Sequence, residues 1–113
     1  MISVFGSKVG REEIDNVVAC MESQWMGLGA NVAEFESRFS KRFSVPNFVM
    51  VDSGSNALFM AVTLLGLPKG SEVIVPSLTW VSCAQAVLVA GHRPVFCDVD
   101  ARTMNARRED ISA

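Results

Sequence analysis

The chain has 113 residues, half of them apolar, 19% charged, with a formal net charge of −2. That length holds one modest core burying roughly two thirds of the surface an unfolded chain would expose, and the apolar fraction predicts greasy surface unless something covers it. Interspersed acids and bases give no footprint for a nucleic-acid backbone, and no apolar run approaches the ~20 residues that span a bilayer.

Met1 to Lys8 lacks the basic start and long apolar stretch of a secretion signal, so the cytoplasm is the expected compartment. From Arg11 to Trp25, Ile14, Val17, Val18, Met21 and Trp25 recur at helical spacing, with Glu12, Glu13 and Asp15 at the dipole's positive end. Gly27-Leu28-Gly29 breaks the chain. Val32, Phe35, Phe39 and Phe43 then mark the core face of a second helix, whose start carries Asn31 and Glu34 in a capping-box arrangement.

After the Val45-Pro46-Asn47 turn, Phe48 to Val51 reads as a short buried strand, and a helix nearly apolar all round runs from about Ser55 to Leu65, ended by Gly66 and Pro68. Glu72 to Val75 is a second strand closed by Pro76. Thr79 to Ala90 is a helix with Gly91 at its C-terminal cap, and Pro94 to Cys97 is a third strand. The expected organisation is one partial domain of α/β class: an N-terminal helical segment (1–47), a βαβαβ half with a parallel sheet (48–100), and a tail (101–113) without pattern that is expected to fray.

In an open parallel sheet, ligands bind beyond the carboxyl ends of the strands. The Ser53 turn, the Pro76 to Trp80 loop and the Asp98 to Asp100 loop should therefore converge. At the first, Ser53, Gly54 and Ser55 offer hydroxyls and backbone N–H groups, and Asn56 follows in the helix whose unpaired amides and dipole favour an anion such as phosphate. The same residues also suit an ordinary capped turn. No Walker lysine follows, and Gly27-Leu28-Gly29 lacks both a preceding strand and a third glycine. Trp80 is either core packing or one wall for a flat heteroaromatic ring.

Asp98 and Asp100, with Asp52, either cap a loop or hold a divalent cation carrying nucleotide phosphates, the latter giving a metal-dependent sugar transferase as a rival reading. Cys20, Cys83 and Cys97 are odd in number and without a C-x-x-C pair, which fits buried apolar roles and neither a disulfide framework nor a zinc site. His92, the only histidine, reads as a surface loop residue.

In its motifs the chain resembles the N-terminal part of the DegT/DnrJ/EryC1/StrS sugar aminotransferases. They are Trp25-Met26-Gly27-Leu28-Gly29, Val32-x-x-Phe35-Glu36, Ser53-Gly54-Ser55-x-Ala57-Leu58, the run from Leu65 to Pro76, and Pro94-Val95-Phe96-x-Asp98-Val99-Asp100. Each is weak alone, whereas the order and spacing are specific. The resemblance implies the large domain of fold type I and pyridoxal 5'-phosphate as cofactor, its phosphate at Gly54, Ser55 and Asn56 with Ser in place of the family's Thr. It also implies an aromatic at Trp80 stacked on the pyridine ring, and homodimers with Gly27 to Gly29 near the partner's site.

It further implies a complete enzyme that moves an amino group, typically from glutamate, to a nucleotide-linked keto sugar. Here the chain departs from the family. Lys8, Lys41 and Lys69 match no Schiff-base lysine motif, and Asp98 and Asp100 do not match the acid that pairs with the pyridine nitrogen, so no catalytic residue is assigned and the isolated chain is expected to be inactive. A different class of reading, a non-catalytic module that pairs its apolar faces with itself or another chain, follows from the apolar helix between Ala57 and Leu65.

Overall fold

The computed structural model describes residues 6–25 and 27–112. Met26 of the Trp25 to Gly29 motif, residues 1–5 of the N-terminal stretch and Ala113 lie outside them. The chain forms two compact units that divide between Met50 and Val51.

The first unit contains α1 (Arg11–Glu22) and α2 (Ala30–Phe43). Glu13 turns back to accept the Gly10 N–H at 2.7 Å, satisfying an orphan donor at the start of α1. The capping box expected at Asn31 and Glu34 does not form, because α2 starts two residues earlier with Gly29 as its N-cap. Asn31 Nδ2 instead donates to Cys20 Sγ at 2.8 Å, and Glu34 pairs with Arg38 one turn on. Along α2, Phe39 stacks on Phe48 with centroids 4.0 Å apart and meets Phe43 at 4.5 Å, an aromatic cluster of the kind that outweighs propensity in small cores.

The expected strand from Phe48 to Val51 is absent from any ladder among the described residues. A strand exists only by hydrogen-bonding to a neighbour, and the groups of this segment go elsewhere. Phe48 joins the α2 phenylalanines, and the Met50 N–H is taken by Glu36 Oε1 at 2.8 Å.

The second unit contains α3 (Gly54–Leu64), β1 (Glu72–Pro76), α4 (Ser82–Val89), β2 (Arg93–Cys97) and α5 (Arg108–Ser112). β1 and β2 pair in parallel, from Glu72 opposite Arg93 to Pro76 opposite Cys97, and the pairing continues through Ser77 N–H to Cys97 O at 2.9 Å. Glu72 and Arg93 also form an ion pair across the first rung. Because the Arg93 N–H points to Ser71 O, the missing N–H of Pro94 falls on the side turned away from β1, where a proline is tolerated.

α4 packs on both strands and against α3. Burial concentrates at Val75 and Cys97, at the C-terminal ends of the strands, with Ala86 and Val87 of α4. α4 ends in a Schellman motif: Gly91, at φ +84°, donates to Leu88 O at 3.0 Å, and His92 donates its backbone N–H to Val87 O at 3.0 Å. This turn overrides the surface reading of His92, since the residue after the cap is drawn under the helix end. His92 is buried, and its Nδ1 has no partner among the described residues. In the tail, where the sequence showed no pattern, Arg107 clamps Asp110 through three hydrogen bonds and precedes α5. No helix among the described residues is long and apolar enough to cross a membrane.

Candidate functional site

The site is built on the turn that starts α3. Ser53 is its N-cap, in extended backbone, and its Oγ accepts the Asn56 N–H at 3.2 Å, at the long end of the usual range. The Ala57 N–H goes to Ser53 O. Two donors precede these: among the described residues, the N–H groups of Gly54 and Ser55 reach no protein acceptor. A Cβ added at Gly54 would meet nothing within 4 Å, so the protein's own packing does not require glycine there, whereas an anion seated against the backbone would.

The side chains around this turn are partly committed. Asn56 Nδ2 donates to Asp52 Oδ1 at 2.7 Å. Ser55 Oγ lies 2.7 Å from Ser82 Oγ, which belongs to the first turn of α4 and is buried. This contact brings the N-terminal turns of α3 and α4 together. Trp80 stands two residues before Ser82, so its Cα lies no more than about 7.6 Å from that of Ser82. Its indole is 68% exposed, which removes the core-packing reading and leaves the ring available as a wall. The Cys83 N–H to Trp80 O bond at 3.0 Å and the Thr79 Oγ1 to Cys83 Sγ contact at 3.3 Å fix the turn that presents it.

Since β1 and β2 are parallel, the loops holding Trp80 and Asp98 to Asp100 leave the same edge of the sheet. The carboxylates there cap backbone. Asp98 Oδ1 accepts the Val99 N–H, and Asp100 Oδ1 accepts the N–H groups of Arg102 and Thr103 at 3.0 and 2.9 Å while Oδ2 faces Arg107. The Thr103 and Arg102 N–H groups hold the Asp100 carboxyl below its ordinary range. No cluster of three potential metal ligands occurs among the described residues.

Ser82 escaped the sequence reading. A serine in the first turn of an apolar helix is unremarkable there, and its contact with Ser55 spans 27 residues, which no local pattern encodes. Lys8, Lys41 and Lys69 are all exposed.

In the first unit, α1, the Gly27 to Gly29 turn and the start of α2 enclose an open groove of about 1070 Å³. Trp25 forms part of its wall and donates its indole N–H to Leu28 O at 2.9 Å. A Cβ at Gly29 would sit 2.8 Å from the Trp25 ring, so any larger residue there must displace the indole.

The α3 start thus offers two N–H groups without a protein acceptor among the described residues and a serine hydroxyl, and an exposed indole precedes α4, on a parallel α/β scaffold. The DegT/DnrJ/EryC1/StrS aminotransferase family profile matches residues 7–113, and the chain belongs to that family. It is 39% identical over 99% of its length to the dTDP-4-dehydro-2,3,6-trideoxy-D-glucose 4-aminotransferase of Saccharopolyspora spinosa, of which it covers 30%. Among solved structures it is similar to the aminotransferase TlmJ of Streptoalloteichus hindustanus, with a TM-score of 0.84 and 34% identity over 99% of this chain and 31% of that one. It is also similar to an Escherichia coli GDP-4-keto-6-deoxy-D-mannose-3-dehydratase with bound hydrated PLP, with a TM-score of 0.81 and 32% identity over 92% of this chain and 28% of that one. The chain thus spans about 30% of the length of the relatives it matches.

Proposed function

We propose that the chain carries the cofactor-phosphate half-site of a pyridoxal-phosphate-dependent aminotransferase that acts on a nucleotide-linked keto sugar, corresponding to the N-terminal part of such an enzyme. The single observation behind this reading is the pair of free N–H groups at Gly54 and Ser55, beside the Ser55 hydroxyl, which contacts Ser82 two residues after the exposed Trp80. When bound, the cofactor supplies an electron sink for moving an amino group from a donor such as glutamate to the sugar. The names of the relatives support the sugar substrate, and the phosphorylated ring suits the seat.

In this reading Gly54 and Ser55 donate backbone N–H groups to the phosphate, aided by the α3 dipole. Asn56 adds its N–H when the 3.2 Å cap to Ser53 yields to the stronger, charged acceptor. Trp80 covers one face of the ring and keeps water from it. Lys8, Lys41 and Lys69 are exposed and match no Schiff-base lysine motif, so the chain alone carries out no transamination. The Gly27 to Gly29 turn is assigned to a homodimer contact near the partner's site, and the compartment is the cytoplasm. Asp98 and Asp100, being committed to loop capping, leave the metal-dependent transferase without support.

The test is a titration of the chain with pyridoxal 5'-phosphate and, separately, pyridoxal, read by tryptophan fluorescence and by the 31P signal of the phosphate. Tighter binding of the phosphorylated form, lost in Gly54→Val, is the expected result. Borohydride should trap no stoichiometric lysine adduct. Equal affinity for both ligands, or a lysine-linked adduct with turnover, would overturn the proposal.

A further inference from the structure

We infer that Ser82 is a positioning residue that makes Ser55 a hydrogen-bond donor toward the anion, an inference that rests on the phosphate seat proposed above. The two hydroxyl oxygens are 2.7 Å apart, and by distance alone either could donate. Their surroundings differ. Ser82 is buried, at 6% exposure, and among the described residues its hydroxyl has no hydrogen-bond partner but Ser55. A buried proton without an acceptor is unfavourable, so the Ser82 proton goes to Ser55 Oγ. Ser55 is exposed and has then used one lone pair, which leaves its own proton free to turn outward.

Next to the Ser55 hydroxyl in the first turn of α3 are the residue's own N–H and that of Gly54, neither of which meets a protein acceptor among the described residues. The hydroxyl proton is then a third free donor beside these two backbone donors, at the helix end where the dipole favours an anion. Donation from Ser82 also polarises the Ser55 hydroxyl, which strengthens the bond that it gives. Without Ser82, the Ser55 side chain is free to rotate among its rotamers, and its donor direction is no longer set.

The experiment measures how strongly the chain prefers pyridoxal 5'-phosphate over pyridoxal, by calorimetry at neutral pH, in the wild type, Ser55→Ala, Ser82→Ala and the double variant. Alanine at a helix start is well tolerated, and far-UV circular dichroism checks that each variant folds. Ser82→Ala should lower the preference about three- to tenfold, the size of one net hydrogen bond. Ser55→Ala should lower it similarly, and the double variant should fall no further than the single ones. Ser82→Cys, which keeps the volume but donates weakly, should fall between wild type and Ser82→Ala.

A merely structural Ser82 would weaken both ligands alike, or its loss would multiply with that of Ser55, and either result overturns the inference. An unchanged preference in any folded Ser82 variant does the same. A wild type that does not prefer the phosphorylated ligand removes the seat itself, and that outcome is distinct because it appears before any variant is made.

Discussion

At the scale of single residues, the candidate seat combines attraction with a built-in opposition. Asp52 stands one position before the N-cap of α3, and its carboxylate accepts from the Asn56 side chain. A negative charge there favours the helix and disfavours a second anion at the same end. Asp52→Asn keeps an acceptor for Asn56 while removing the charge, so phosphate-ligand affinity should rise about two- to fivefold at low salt. The gain should shrink as salt is raised, and affinity unchanged at both salt levels would show that the carboxylate does not sense the seat. Gly29 supports a second residue-level argument. Its missing Cβ leaves room for the Trp25 indole, so Gly29→Ala should expel the ring and break its bond to Leu28 O. The Trp25 Nε1 cross-peak in a 1H–15N spectrum reports this directly, and a peak that stays in place would contradict the close approach.

At the scale of elements, the ends of helices carry most of the specification. Gly91 holds φ +84° at the end of α4 and faces open space, so Gly91→Ala should cost about 1 kcal/mol from backbone strain alone, seen as a lower unfolding midpoint. The 100–110 segment depends instead on carboxylates. Asp110 is held below its ordinary value of 3.8 chiefly by the Arg107 side chain, and Asp100 by the Thr103 and Arg102 N–H groups. Groups with a lowered folded pKa contribute stability that is present above the unfolded value and lost as pH falls through the folded one. Amide exchange in α5 should therefore accelerate only below about pH 4. Acceleration already between pH 6 and 5 would point to another cause. These elements also show what local sequence encodes. β1, α4 and β2 were legible from apolar runs punctuated by Pro76 and Gly91, because turn chemistry acts within a few residues. The Phe48 to Val51 strand was misread because an apolar run does not reveal whether its backbone meets a strand or a helix carboxylate. The turn into α3 at Gly54 and Ser55 was legible as a pattern, but the Ser82 contact and the burial of His92 were not, since both depend on how α4 folds back.

At the scale of the whole molecule, the balance between buried and exposed apolar surface sets the behaviour of the chain in solution. Only Val75, Ala86, Val87 and Cys97 are buried apolar residues among those described, while Leu64, Leu65 and Phe96 are 80%, 65% and 61% exposed. Apolar surface left in water at this scale drives association at about 25 cal/mol for each Å² that becomes covered, so a few such side chains outweigh the modest cohesion of a two-stranded sheet. Among the described residues both strands of that sheet also retain an open side, and α3 has no buried residue. We therefore expect the isolated chain to self-associate, in keeping with the homo-oligomer proposed for the complete enzyme. Light scattering coupled to size exclusion should give a mass above 12.2 kDa that falls on dilution. Leu64→Lys with Leu65→Glu should shift that equilibrium toward the monomer without altering the preference for the phosphorylated ligand, because neither residue belongs to the α3 start. A stable, well-folded monomer at high concentration would show that the exposed leucines and Phe96 do not drive contact between copies.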